Sequence, residues 1–268
     1  MSLSVCATPI GNLDDVTVRV LGELAAADLV LCEDTRVTRL LLRRHGITAR
    51  LLSYHRHNEA RRTEEVLRRL SAGERVALVS DAGLPGINDP GARLIAAALD
   101  AGFPVTVLPG ASAVETSLVA SGLVSERYQF LGYLPRRADE LDALWEELER
   151  WPWPAVAFES PNRLPASLAS LAGRAPERPV AVCRELTKRF EEVVRGSAAE
   201  VARRFSNPPR GEITVVVGAA VTTADSVDPA AVEAVAELVA AGLGRREASE
   251  LVSRLTGAPR NALYRRSL

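Results

Sequence analysis

For about 220 residues, short β-branched runs alternate with stretches of helical period, and this alternation commits the chain to an α/β fold. Strands are expected at 3–7, 28–32, 50–53, 76–80 and 105–108, with helices such as 16–27, 59–70 and 92–101 between them. The run Val76-Ala-Leu-Val79 is apolar on both faces, as a central parallel strand requires. A second series follows at 128–132, 155–159, 179–183, 190–195 and 213–218. Trp151-Pro-Trp153-Pro cannot be helical throughout and closes a helix at 139–150. The run 190–195, just before Gly196-Ser197, reads as half of a hairpin, so the second sheet is expected to be mixed. Past Gly218 a small, polar linker at 219–227 leads into a purely helical pattern from Pro229. The expected units are an α/β domain at 1–122, a second at 123–220 and a helical tail at 226–268. Within the tail, Gly257 and Pro259 separate two helices, which suits a helix-turn-helix or a pair that caps a domain or a dimer.

Composition narrows the classes. A chain of 268 residues can bury a real core, and no run approaches the roughly 18 apolar residues of a membrane span, so a soluble protein without membrane contact is expected. Cys6, Cys32 and Cys183 are far apart, odd in number and without C-x-x-C spacing, which argues for reduced thiols and a cytoplasmic location. The net charge is −1, yet residues 36–75 hold eleven Arg against Glu59, Glu64, Glu65 and Glu74, a local excess of +7, together with all three histidines. Residues 245–268 hold six Arg against Glu247 and Glu250. A phosphate-bearing partner explains both stretches; solvated helix faces explain them equally well.

The informative residues stand in loops after strands, where open α/β sheets place their ligands. Three such loops are rich in Gly and Pro: Thr8-Pro-Ile-Gly-Asn-Leu13, the segment Asp81 to Gly91, and Pro109-Gly-Ala-Ser-Ala113. Together they describe a pocket for a small polar ligand, and singly each also reads as a tight turn with Asp81 or Ser112 capping a helix. There is no G-x-G-x-x-G, G-K-[ST], H-E-x-x-H or G-x-S-x-G, which removes the usual handles of dinucleotide folds, P-loop enzymes, zincins and α/β-hydrolases. No metal site is expected, and three histidines in one Arg-rich stretch make a Ser-His-Asp triad a poor fit.

Taken in order, eight segments match one family: Thr8–Leu13, Cys32-Glu-Asp-Thr-Arg36, His55-Arg-His-Asn-Glu59, Leu78-Val-Ser-Asp-Ala-Gly83, Ile87-Asn-Asp-Pro-Gly91, Leu108-Pro-Gly110, Arg184-Glu-Leu-Thr-Lys188 and Gly211-Glu212. On these the chain resembles the tetrapyrrole methylase superfamily and, within it, the ribosomal RNA small subunit methyltransferase I family; Asn261-Ala-Leu-Tyr264 extends the likeness into the tail. Two stretches depart from the pattern: Asn162 stands where the family more often has His, and Pro135-Arg-Arg-Ala-Asp139 is shorter and more acidic than the family's loop.

The resemblance implies two α/β domains with a cofactor cleft between them, S-adenosyl-L-methionine as cofactor, 2′-O-methylation of a cytidine in 16S ribosomal RNA of the small ribosomal subunit, and a homodimer. It assigns the cofactor to Pro9, Ile10, Asp81, Ala82, Gly83, Ser112 and Ala113, with Asp81 facing the cationic amine. For the acceptor it points to Asn12, Glu33, Asp34, Arg36, Asn88, Asp89, Arg163, Arg184, Glu185 and Lys188. Among these, Lys188, Glu185 and Asp34 are the candidates for chemistry. Lys188 is the sole lysine beside 32 arginines, and a lysine can be desolvated to a lower pKa where arginine cannot. It suits proton removal or a phosphate contact, and Glu185 suits a base or its ion-pair partner. Methylation of a porphyrinoid, or a non-catalytic RNA-binding assembly factor, are the competing functions.

Overall fold

Strict period-two burial in three strands decides how the first half is layered. In the computed structural model, which describes residues 2–220 and 228–267, Leu3, Val5, Leu29, Leu31, Val76 and Leu78 share one apolar cluster while Cys6, Val30, Cys32, Ala77 and Val79 share another. They belong to a parallel five-stranded sheet of β1 (Ser2–Cys6), β2 (Leu29–Cys32), β3 (Leu51–Ser53), β4 (Arg75–Val79) and β5 (Val105–Leu108), in the order β3-β2-β4-β1-β5. Helices α1 (Val18–Ala26) and α2 (Thr35–Arg44) cover one face through Val20, Leu24, Leu41 and Leu42. Helices α3 (Glu59–Ser71) and α4 (Ala92–Asp100) cover the other through Val66, Leu70, Leu94 and Ala98. Each fully buried Leu or Val contributes roughly 1.5–3 kcal/mol, so both faces must be covered. The starts of α1 and α2 are fixed by Thr17 and Asp34, whose side chains accept backbone N–H groups of Val20 and Arg36.

The next helix, α5 (Ala113–Ser121), follows the first sheet in sequence but takes Val114 and Leu118 to the second, against Val156, Ala181 and Val216. That sheet contains β6 (Gln129–Tyr133), β7 (Ala155–Glu159), β8 (Pro179–Arg184), β9 (Glu192–Ser197) and β10 (Ile213–Val217), in the order β6-β7-β10-β8-β9. Only β6 and β7 are parallel, and β8 and β9 form the expected hairpin. Its opposite face is covered by α6 (Ala138–Glu149), α7 (Leu164–Arg174) and α8 (Ala198–Arg204), around buried Trp145, Leu148 and Leu168. A small shared core of Ile10, Cys183 and Leu186 joins the two halves.

The tail comprises α9 (Pro229–Ala240), α10 (Arg245–Thr256) and α11 (Arg260–Arg266), closed on their own core of Ala231, Val235, Ala248, Val252, Ala262 and Leu263. Gly257 ends α10 in the left-handed conformation at φ +75°, and Pro259 precedes α11, so the turn is made as its sequence demands. Of the expected linker, only Ala219 and Ala220 are among the described residues; 221–227 lie outside them, as do 226 and 227 of the expected tail. Among the described residues no helix is long and apolar enough to cross a membrane.

Candidate active site

The three Gly/Pro loops meet at one edge of the first sheet, beyond the carboxyl ends of β1, β4 and β5. Thr8 stitches two of them together: its N–H donates to the Gly83 carbonyl at 2.8 Å, its carbonyl accepts the Gly83 N–H at 3.0 Å, and Oγ1 donates to the Ser80 carbonyl at 3.0 Å. Gly83 lies at φ +78°, and a Cβ there would meet nothing nearer than the Ala111 carbonyl oxygen at 3.9 Å. The left-handed backbone, not crowding, calls for glycine there.

Opposite stand the ends of β6, β7 and β8 and the start of antiparallel β10, and between the sheets lies a cavity of about 580 Å³. Ile10, Val114, Phe130, Phe158 and Leu186 make its apolar wall, while Asn88, Asp89, Ser112, Glu115, Glu212 and Thr214 converge as polar groups. Small-molecule sites of about 300–1,000 Å³ have this mixture of apolar wall and a few placed polar groups. Cys183 also lines it; burial pushes its thiol up to about 11, so it stays protonated.

Of the residues assigned to a cofactor from sequence, Ile10, Ala82, Gly83, Ser112 and Ala113 line the cavity. Pro9 is buried and stands outside the lining. The Asp81 carboxylate turns aside to accept the Asp34 backbone N–H at 3.0 Å, tying the loop after β4 to the loop after β2, and burial raises its pKa. Ser112 precedes α5 without making a capping bond; its hydroxyl donates to Glu115, which also accepts from the Tyr128 hydroxyl at 2.6 Å. Burial pushes the Glu115 carboxyl up, but these two hydrogen bonds outweigh it and hold the group below its ordinary value.

On the acceptor side, Asn88 and Asp89 line the cavity. Asn88 adopts a left-handed φ of +62°, with its carbonyl accepting from Arg56 Nη2 at 2.7 Å. Its amide group packs on Gly132 of β6, where a Cβ would stand 3.1 Å away. Burial, then the charge of Glu33, raises Asp89 to about 6, despite a hydrogen bond from Ser80. Glu33 itself is raised, first by burial and then by Asp81.

The three residues picked for chemistry have a different character. Lys188 Nζ donates to Glu185 Oε1 at 2.9 Å and lies 3.0 Å from Glu212 Oε2. Burial alone would lower the lysine, but the two carboxylates outweigh it and hold the ammonium above its usual value, which speaks against the proton-removal alternative. The Glu212 backbone N–H, donating at 2.9 Å, and Lys188 keep Glu185 low. Arg36 forks onto Asp34 and holds it at about 2. None of the three accepts a proton near neutral pH.

Four further residues expected at the acceptor stand outside the cavity. Asn12 caps the short 3₁₀ turn Leu13–Asp15 and shares with Lys188 an open depression of about 470 Å³. Arg36 is 85% exposed in its pair with Asp34. Arg184 is held by Glu192 at 3.0 Å and the Arg210 carbonyl at 3.2 Å. Arg163 donates to the fully buried Glu159 carboxylate at 3.1 Å and to the Leu134 and Pro135 carbonyls at 2.7 and 2.6 Å, which makes it framework. Much of the Arg-rich stretch is likewise paired: Arg62 and Arg69 with Glu65, Arg69 with Glu74, Arg44 with Asp14 and Arg75 with Glu23. Arg61 and Arg68 remain exposed on the outer side of α3.

Sequence reasoning missed Glu115, Tyr128, Phe130, Tyr133, Phe158, Cys183, Leu186 and Thr214 in the lining. Glu115 had a signal, because Ser112-x-x-Glu115 has capping-box spacing. Leu186 lay inside the matched Arg184–Lys188 segment, and the others had no signal, since they reach the cavity only through the packing of the second sheet on α5 and the first.

Comparison with known proteins places this arrangement. Residues 2–202 match the family model of the Tetrapyrrole (Corrin/Porphyrin) Methylases, and residues 226–268 match that of the RsmI C-terminal HTH domain. A protein of Mesorhizobium japonicum named Ribosomal RNA small subunit methyltransferase I is 43% identical over 100% of this chain and 91% of its own length. One of Micromonospora olivasterospora with the same name is 42% identical over 98% of this chain and 85% of its own. Among solved structures, uroporphyrin-III C-methyl transferase from Thermus thermophilus, complexed with S-adenosyl homocysteine, superposes with a TM-score of 0.58 at 20% identity, covering 81% of this chain and 97% of that one. Diphthine synthase gives 0.65 at 14% identity, covering 82% and 90%. These structural likenesses bear on the fold. With a family model spanning three quarters of the chain and full-length relatives above 40% identity, the protein belongs to the tetrapyrrole methylases, in the ribosomal RNA small subunit methyltransferase I family.

Proposed function

We propose that the chain uses S-adenosylmethionine to methylate the ribose 2′-hydroxyl of a cytidine in 16S ribosomal RNA of the small subunit. One observation carries this reading: a family member holds a cavity of about 580 Å³ between its two sheets, lined by strand-end loops and by a carboxylate that titrates near neutral pH. The cavity fits the cofactor. The Ala82-Gly83 backbone lines the cavity, Ile10, Phe130 and Leu186 offer apolar contact, and Ser112 and Glu115 offer polar partners. Bound there, S-adenosylmethionine supplies a methyl group on a positively charged sulfur.

The chain's own residues then have two roles. They hold the acceptor in line, since orientation supplies several kcal/mol of such a barrier, and they take the hydroxyl proton. Asp89 is the carboxylate placed to take that proton, because it lines the cavity and at about 6 it is ionised at neutral pH yet basic enough to accept. Lys188, paired with Glu185 and Glu212, fixes the strip of chain that carries Leu186 and Glu212 into the cavity wall. Cys183 remains a neutral thiol and so does not compete for the methyl group. The protein works as a homodimer in the cytoplasm, a reading that rests on the family resemblance.

Isothermal titration with S-adenosylmethionine, followed by mapping 2′-O-methylation on small-subunit RNA from a deletion strain with and without this chain, tests the reading. Cofactor binding and one restored methylated cytidine are expected; sedimentation of the same sample checks the dimer. Absence of cofactor binding removes every methylase reading, and binding without RNA methylation favours a porphyrinoid substrate.

Phosphate contact makes a separate prediction. Replacing exposed Arg61 and Arg68 by Ala should lower the salt dependence of RNA binding by up to about 2 in log–log slope. Arg62→Ala should leave the slope unchanged, because that guanidinium is already held by Glu65. A wild-type slope in the Arg61/Arg68 variant would make the Arg-rich face merely solvated.

A further inference from the structure

The segment joining β8 to β9 carries an aromatic ring that the mechanism does not use. Phe190 is 66% exposed, and the Arg189 guanidinium lies over its ring at 5.5 Å from the centroid. The backbone beneath it is tightly held. Glu185 and Thr187 adopt left-handed φ angles of +52° and +64°. The Lys188 N–H donates to the Glu185 carbonyl, the Glu191 N–H to the Lys188 carbonyl, and the Thr187 N–H to the Glu191 carboxylate at 2.6 Å. The Asn12 N–H donates to Thr187 Oγ1 at 2.9 Å, and Gly11 packs so closely that a Cβ would stand 2.6 Å from Lys188 Cγ. Non-glycine residues are strained in this conformation, and persist in it where the surroundings over-determine them. The ring is thus presented on a fixed platform.

What adjoins it has the chemistry of a nucleotide site. Arg189 lines the depression that also holds Asn12, Arg44 and Lys188. Arg44 is neutralised by Asp14 and Lys188 by Glu185 and Glu212, whereas Arg189 has no ion pair among the described residues. The depression abuts the cavity across one strip of chain, because Leu186 and Glu212 face the cavity while Thr187 and Lys188 face the depression. A free guanidinium beside an exposed ring is how proteins hold single-stranded RNA: the base stacks and the phosphate meets the cation.

We infer that Phe190 and Arg189 form a subsite for a nucleotide flanking the methylated one, its base stacked on the Phe190 ring and its phosphate in the depression beside Arg189. This rests on the RNA-methylation reading above and adds to it a determinant of RNA conformation: the strand must be unstacked at this position.

The test uses the full-length protein and small ribosomal subunits purified from a strain lacking the homologous methyltransferase. Phe190→Ala and Phe190→Leu should weaken subunit binding about tenfold or more, Phe190→Trp should retain it, and S-adenosylmethionine affinity should be unchanged in all three. Arg189→Ala should reduce the salt slope by about 0.7–0.9. Wild-type affinity in both Phe190→Ala and Phe190→Leu would overturn the subsite while leaving the methylation reading intact. A drop in sedimentation coefficient of Phe190→Ala, with RNA binding lost only in step with it, would reassign the ring to a contact between copies of this chain. Failure of the wild type itself to methylate the subunits would remove the methylation reading and the subsite with it.

Discussion

Asp89→Asn should lower kcat by about 100- to 10,000-fold, the span that a positioned proton acceptor supplies, while S-adenosylmethionine still binds. The wild-type kcat/KM should fall as pH drops through about 6, because protonation of Asp89 removes the acceptor, and this limb should vanish in the variant. Stability moves the other way. The folded-state pKa of Asp89 is raised above the ordinary 3.8, so its contribution to stability is fully present below about 3.8 and is lost as pH rises through about 6. At pH 7–8 the ionised carboxylate therefore strains the fold, and Asp89→Asn should be more stable by about 1 kcal/mol once solvent screening of this partly exposed group is allowed for. Thermal melts at pH 4 and pH 8 read this directly: the two proteins should agree at pH 4 and separate at pH 8. A variant with normal turnover would take the proton-accepting role away from Asp89.

Arg163→Met should destabilise the protein by about 3 kcal/mol and lower the melting temperature by about 10 °C. The carboxylate of Glu159 is fully buried at the end of β7, with only the Ser160 N–H at 2.6 Å and the Ser167 hydroxyl at 2.6 Å to hold it once the guanidinium is gone. Removing one partner of a buried pair leaves the other charge uncompensated, which costs more than the pair was worth. RNA affinity measured well below the melting temperature should stay within a few fold of wild type. Loss of RNA affinity with an unchanged melting temperature would return Arg163 to the acceptor site assigned to it from sequence.

These two residues show where sequence reasoning stops. Asp89 and Arg163 are both polar residues in loops that follow strands, and the sequence offered both as acceptor contacts. The difference lies in what surrounds them. Asp89 lines a cavity in a loop whose neighbouring Asn88 is held by Arg56 through its carbonyl and packs its amide on Gly132, while Arg163 lies where two carbonyls and a buried carboxylate converge. Lys188 repeats the point: its being the sole lysine suggested a special pKa, but the sign of the shift is set by Glu185 and Glu212, and Glu212 is brought there from 24 residues away by the start of β10.

The sequence by itself determined the elements and the strand-end loops that line the cavity. All ten strands form within a few residues of their expected places, because apolar period and Gly/Pro breakers are local signals and each strand had to bury one face or both. The hairpin of β8 and β9 and the Gly257 turn of the tail were legible for the same reason. Tertiary structure decided the opposite wall. Helix α5 is apolar without a clear face, so nothing local says that Val114 and Leu118 leave the first sheet for the second. That choice sets how the sheets face one another, and with it the position of Phe130, Phe158 and Leu186 across from Ile10 and Gly83. Burial and charge at Asp89, Glu185 and Lys188 follow from the same packing, since a pKa responds to groups close in space however distant in the chain.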